Sequence, residues 1–337
     1  MTVRLMEYIP ALRNREKKIT AAFIDNGCCP AMKLLRITTL LSCLFSFAGL
    51  GCDAQDVIEV VWPTRFASKP ATFARPASDF LPAFRIALAA FPESNIVALA
   101  LSQPAFLGIP ATDAKFLQSL CGERHRLIRS DPAFKSVSSA LPYCFSERTP
   151  TNGLALVYRP KTSDSNTPVV VFLHGYGGSF LWYQHLLAEA FPNHIIVCPA
   201  YGVSPAMIPS AYVSECLKAA SGELGHSLSV PALIGLSAGG FGATRVYTQS
   251  PGMFSRLILI ASYPPPETLT RFHSEMRVYA AAGAQEDYVK SGLFRRSLES
   301  IRPRVDTVEY QALANANHYF LLARREETVK LLHLWLK

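Results

Sequence analysis

A serine hydroxyl attacks a carbonyl at neutral pH only when a base takes its proton and donors receive the charge that develops on the attacked oxygen. Gly235-Leu236-Ser237-Ala238-Gly239 offers such a serine in a favourable context. It follows an apolar run at 230–234 and precedes a stretch, 238–249, that reads as a helix. Strand, sharp turn and helix in that order are what a nucleophile elbow requires. The serine there takes a strained backbone conformation, and glycines two residues before and after it leave room for the neighbouring strand and helix. Gly240 extends the small surface. In a chain with 19 glycines the pentapeptide alone arises by chance often enough to need partners.

The first partner lies upstream, where the run Pro168-Val169-Val170-Val171-Phe172-Leu173 reads as a fully buried strand and leads into His174-Gly175-Tyr176-Gly177-Gly178. With these two motifs the chain resembles the α/β-hydrolase superfamily. The resemblance implies that the loop after the third strand supplies one backbone N–H of an oxyanion hole and that the residue after the nucleophile supplies the other. The matching positions are Tyr176, with Gly177 as the alternative, and Ala238. The glycines fit that chemistry, because two amides must converge on one oxygen without side chains between them. His174 reads as a structural loop residue, neither base nor metal ligand.

In the same superfamily the base sits on the loop after the last core strand. Of eight histidines, His318 matches: 305–313 reads as a strand, Ala314-Asn315-Ala316-Asn317 as a loop, and the chain from Tyr319 as a C-terminal helix. The acid belongs after the preceding strand, 277–282, in the turn Gly283-Ala284-Gln285-Glu286-Asp287-Tyr288-Val289. Many members read G-x-x-D-x-x-V there. Here the spacing lands on Glu286 and the usual residue type stands next door at Asp287, so both remain candidates. The order Ser237, Glu286 or Asp287, His318 is that of the fold. The resemblance implies acyl transfer to water on a carboxylic ester, carboxylesterase- or lipase-like. A peptidase, a thioesterase or an acyltransferase would use the same site. A non-catalytic binding protein on a hydrolase scaffold is the reading from a different class.

Positioning these residues takes an alternating framework. Strands are expected near 154–158, 169–173, 194–198, 230–234, 256–261, 277–282 and 305–313, and another at 57–61. Helices are expected near 180–190, 210–224, 238–249, 266–274, 286–300 and 319–336. Such alternation predicts an α/β fold, a mostly parallel sheet with helices on both faces, and the resemblance to the α/β-hydrolase superfamily covers roughly 150–337 and implies that domain there. Residues 55–149 match nothing recognisable and form an N-terminal, partly helical extension acting as cap, brace or adaptor. There 63–82 reads as an irregular wrap, and 80–101 and 114–127 as helical segments broken at Pro82, Pro92 and Pro104.

With 337 residues, half of them hydrophobic, the chain can bury a sizeable core. The net charge of +8 is dispersed; Lys17-Lys18, Arg295-Arg296 and Arg324-Arg325 read as solvated faces, and no nucleic-acid partner is inferred. The expected partner is a small-molecule ester or acyl substrate, with oligomeric state open. Met32-Lys33-Leu34-Leu35-Arg36 followed by the apolar 37–50 has the layout of a secretory signal, leaving 1–31 as an extension from a misassigned start. The reading 32–54 as a signal makes the protein exported. Two cleavages compete: at Gly51-Cys52, giving a lipoprotein held to a membrane by its anchor, or after Ala54, giving a soluble exported form. Export permits disulfides among Cys121, Cys144, Cys198 and Cys216, and Cys121–Cys144 is the favoured pair. No zinc spacing or phosphate loop occurs, so no cofactor is inferred.

Overall fold

The computed structural model describes residues 55–70, 77–103, 110–177 and 181–337, with side chains from residue 81 onward in the helix that begins at 77. The expected signal at 32–54 and the extension at 1–31 lie outside the described residues.

The eight-stranded sheet has the order β1-β2-β4-β3-β5-β6-β7-β8. The strands are β1 (Asp56–Pro63), β2 (Asn152–Arg159), β3 (Val169–Leu173), β4 (Ile195–Ala200), β5 (Ala232–Leu236), β6 (Arg256–Ile260), β7 (Arg277–Gly283) and β8 (Thr307–Leu313). β2 is antiparallel to both β1 and β4, and every other pairing is parallel, so β2 alone runs against the rest. Parallel strands read as unbroken apolar runs because both faces are covered. Successive side chains then serve opposite cores. Val170, Phe172, Ile196, Ile234, Leu236, Ile258 and Ile260 face one, while Val169, Val171, Ile195, Val197, Leu233, Leu257 and Leu259 face the other.

Two helical layers cover those faces. On the second face lie α6 (Ser210–Leu224), α7 (Ala238–Gln249) and α9 (Leu293–Ile301), through Val213, Val246 and Leu298 among others. On the first lie α5 (Leu181–Ala190), α10 (Phe320–Ala323) and α11 (Arg325–Trp335), joined by most of the N-terminal extension. That extension folds as α1 (Ala77–Ala90), α2 (Glu93–Leu101), α3 (Ala111–Ser130) and α4 (Leu141–Cys144). Its Phe84, Leu88, Ile96, Leu117, Phe134 and Leu141 share one core with Leu156, Tyr158 and Phe172 of the sheet. Each such side chain withdrawn from water contributes about 1.5–3 kcal/mol. The extension is therefore built into the compact unit 53–337 as a layer on the sheet.

Several expectations need correction. Helix α1 starts at Ala77, inside the stretch read as irregular, and Pro82 stands within it instead of breaking it. Pro92 does end that helical run, as the residue before α2. The helix expected over 266–274 is a six-residue 3-10 turn, Pro266–Arg271. The long helix expected over 286–300 is two, α8 (Asp287–Lys290) and α9, split by Gly292 at φ 75°. Cys121, Cys144, Cys198 and Cys216 are all buried and outside any disulfide, so the expected Cys121–Cys144 bridge is absent. Burial pushes the Cys121 thiol up to about 12 and raises those of Cys198 and Cys216 too, which keeps them unreactive core thiols.

Candidate active site

β5 ends at Leu236 and α7 begins at Ala238, so Ser237 alone makes the turn, at φ 53° and ψ −119°. A left-handed φ on a residue with a side chain stores strain, on the order of 1–3 kcal/mol. The surroundings hold it: the Ser237 N–H donates to the Ile260 carbonyl at 2.8 Å, and Gly240 N–H donates to the Ser237 carbonyl at 2.9 Å. The flanking glycines are required by close approach. A Cβ on Gly235 would lie 2.5 Å from the Gly239 carbonyl oxygen, and one on Gly239 would lie 2.3 Å from the carbonyl oxygens of His174 and Leu173. Strand, elbow and helix thus fit only with small residues at these two places.

The histidine loop and the acid turn meet just beyond the parallel strand ends. Ala284 N–H donates to the Leu313 carbonyl and Gln285 N–H to the Ala316 carbonyl, each at 2.9 Å. A Cβ on Gly283 would sit 2.4 Å from the carbonyl oxygens of Ala316 and Asn317, so the two loops touch backbone to backbone. This contact brings His318 between the other two groups. Its Nε2 lies 2.9 Å from Ser237 Oγ and its Nδ1 lies 2.6 Å from Glu286 Oε2. The second carboxylate oxygen, Glu286 Oε1, accepts the Gly283 N–H at 3.0 Å. Nδ1 therefore carries the proton toward Glu286, leaving Nε2 as the acceptor facing the serine.

Of the two candidate acids the structure brings only Glu286 to His318. Its side chain is 6% exposed, whereas that of Asp287 is fully exposed and lies 3.9 Å from Lys290 Nζ. The cause is local. Glu286 folds back on the strand end, its N–H donating to the Gly283 carbonyl at 3.0 Å, and Asp287 is the first residue of the outward-going α8. Spacing from the glycine, not residue type, selects the partner. Burial raises the Tyr288 phenol beside this turn, with the Glu286 charge adding to the effect.

On the other side of the serine, Gly175 closes up to the elbow: a Cβ there would be 3.6 Å from Ser237 Cβ. The Gly177 N–H is engaged by the Val203 carbonyl at 2.7 Å. Tyr176 is an exposed turn residue, and Ala238, first in α7, has an N–H without an intrahelical acceptor. His174 is buried, donating from Nδ1 to the Gly175 carbonyl at 2.7 Å and accepting the Tyr201 N–H on Nε2 at 3.2 Å. Burial lowers its imidazole to about 4, so it is a neutral strut under this loop. Gly178, the last residue of the motif, lies outside the described residues.

Sequence reading missed two carboxylates of the extension. Buried Glu93 of α2 accepts the Leu181 N–H at 2.7 Å, capping α5, and also accepts from the Ser139 hydroxyl. Asp113 of α3 accepts from Asn317 Nδ2 at 3.1 Å, one residue before His318. Both sit in the first turn of a helix, where an acidic residue is ordinary and carries no signal of its partner.

No family model matches this chain, and no curated protein matches it in sequence. Solved structures do resemble it. A CIB-like hydrolase from Thermoplasma acidophilum is 14% identical, with a TM-score of 0.44 over 55% of this chain and 92% of that one. An esterase from Pyrobaculum calidifontis is 15% identical, with a TM-score of 0.45 over 55% and 80% of the two chains. EstE1, a thermophilic carboxylesterase from a metagenomic library, is 15% identical, with a TM-score of 0.42 over 55% and 84%. By its strand order, its single reversed strand and the strained serine between β5 and α7, this chain has the α/β-hydrolase fold.

Proposed function

We propose that the protein is a serine hydrolase of carboxylic esters. The observation that carries the reading is the hydrogen-bonded series Ser237 Oγ, His318 Nε2, His318 Nδ1, Glu286 Oε2, at 2.9 and 2.6 Å, hung on a serine held at φ 53°. Ser237 Oγ attacks the ester carbonyl while His318 Nε2 takes its proton. Glu286 holds the tautomer and stabilises the imidazolium that forms. The oxyanion is received by the N–H groups of Ala238 and Tyr176, since the Gly177 amide is already bonded to Val203. The imidazolium then protonates the leaving alkoxide, and the freed base activates water to release the acid from the acyl-enzyme.

A carboxylesterase- or lipase-like preference, and export directed by 32–54, belong to the same proposal; among the described residues no helix is long and apolar enough to cross a membrane. The test is a hydrolysis panel of p-nitrophenyl esters of increasing acyl length, with a peptide anilide and a thioester alongside. Ester turnover that vanishes in Ser237→Ala is expected. Turnover of the anilide alone would make the enzyme a peptidase, and none on any substrate by folded protein would favour a binding protein.

A further inference from the structure

The Asn317 side chain is used twice. Its Oδ1 accepts the Tyr319 N–H at 3.1 Å, closing a tight turn around His318, and its Nδ2 donates to Asp113 Oδ2 at 3.1 Å. Asp113 lies in the first turn of α3, 204 residues earlier in the chain. The backbone that carries the imidazole is thus gripped from two directions. From the β7 side, Gln285 N–H bonds the Ala316 carbonyl and Gly283 packs against the carbonyls of Ala316 and Asn317. From the N-terminal helices the tie is Asp113.

We propose that Asp113 is a positioning residue for His318, so that the N-terminal helices complete the active site by fixing its base as well as covering the sheet. The inference rests on the hydrolase reading above. The imidazole must satisfy Ser237 and Glu286 together, and a displacement on the order of 1 Å costs on the order of 10²-fold in rate. The His318 side chain is 39% exposed, so close packing alone does not fix it. Without Asp113, the Asn317 side chain keeps only its bond to Tyr319, and the loop loses this tie to the N-terminal helices.

The test is made on the full chain with a fluorophosphonate, whose capture by Ser237 needs the base but no particular substrate. Asp113→Ala is expected to slow labelling, and to lower kcat on a p-nitrophenyl ester, about tenfold with KM within about twofold, the scale of one lost hydrogen bond on a positioned group, and Asn317→Ala, which also loses the bond to Tyr319, at least as much. The double variant should be no slower than Asn317→Ala alone, because the bond to Asp113 is already lost in it. Asp113→Asn retains an acceptor oxygen and should return labelling to within about threefold of wild type.

Labelling of Asp113→Ala within about twofold of wild type overturns the proposal, as does failure of Asp113→Asn to restore it in protein with wild-type circular dichroism. If Asp113→Ala does not fold, Asn317→Asp, which keeps an oxygen for the Tyr319 N–H and loses only the donor to Asp113, decides: labelling within about twofold of wild type overturns the proposal. Wild-type protein that takes up no probe would instead sink the hydrolase reading, and this inference with it.

Discussion

The C-terminal part, 150–337, and the described residues of 55–149 bury side chains in one shared core, yet they set their polar groups in place differently. In the first, the elbow glycines sit two residues from the serine, and the acid lies three residues from the glycine that turns β7 toward it. In the second, Glu93 reaches Leu181 across 88 residues and Asp113 reaches Asn317 across 204. The groups proposed to react are set by short motifs at strand ends, whereas the groups that steady them come from wherever a helix happens to dock. Substitutions of Ser237, His318 or Glu286 should therefore act on chemistry, and those of Glu93 or Asp113 mainly on stability and alignment.

The sharpest break in that comparison is Ser237→Ala, expected to reduce ester hydrolysis to background while leaving the unfolding midpoint near wild type. Turnover at even a tenth of the wild-type rate would remove Ser237 from the mechanism. Next comes the pair of acids. Glu286→Gln should lower kcat on the order of 10³–10⁴-fold by releasing the imidazole tautomer, and Asp287→Asn, pointing into solvent, by no more than about threefold. Equal defects would mean that the turn after β7 is not as described.

Stability should respond to pH through His174. Its folded value of about 4 lies below the ordinary 6.5, so between these values the unfolded chain binds more protons than the folded one. Its contribution is complete above about pH 6.5 and is lost as pH falls toward 4, to the extent of about 3 kcal/mol. Urea unfolding of wild type and His174→Asn at pH 7, 5.5 and 4 checks this: the gap between them should narrow with acidification, and a constant gap would contradict it. In the extension, Glu93→Ala strands the Leu181 N–H and should cost about 2 kcal/mol in the same assay, with Glu93→Gln, which keeps an acceptor, costing less. A larger fall in kcat than in stability would blur the proposed division between the regions. The smallest expectation is that dithiothreitol leaves Tm unchanged, because among the described residues Cys121, Cys144, Cys198 and Cys216 form no disulfide.

How far the sequence reached follows the same division. The strands β3, β4, β5 and β6 were legible because a parallel strand covered on both faces must be apolar throughout, and the turns between them carry Gly and Pro. The elbow was legible because its glycines answer a steric demand within five residues. Glu286 against Asp287 was not, since adjacent residues on a turn differ only in direction, and direction depends on where α8 starts. The break of the 286–300 helix at Gly292 was likewise hidden until its left-handed φ was seen. In the extension the apolar periodicity pointed to helices but not to the sheet face they cover. The favoured Cys121–Cys144 pairing failed because it rested on compartment rather than contact, and each thiol is housed in the core instead.

The central claim is that Ser237, His318 and Glu286 act as one unit. Its most direct test is mass-spectrometric mapping of the fluorophosphonate adduct on wild type, His318→Ala and Glu286→Gln. The expected result is a single stoichiometric adduct on Ser237 in wild type, abolished in His318→Ala and formed orders of magnitude more slowly in Glu286→Gln. An adduct on another residue, or equal labelling of Ser237 in all three proteins, would contradict it.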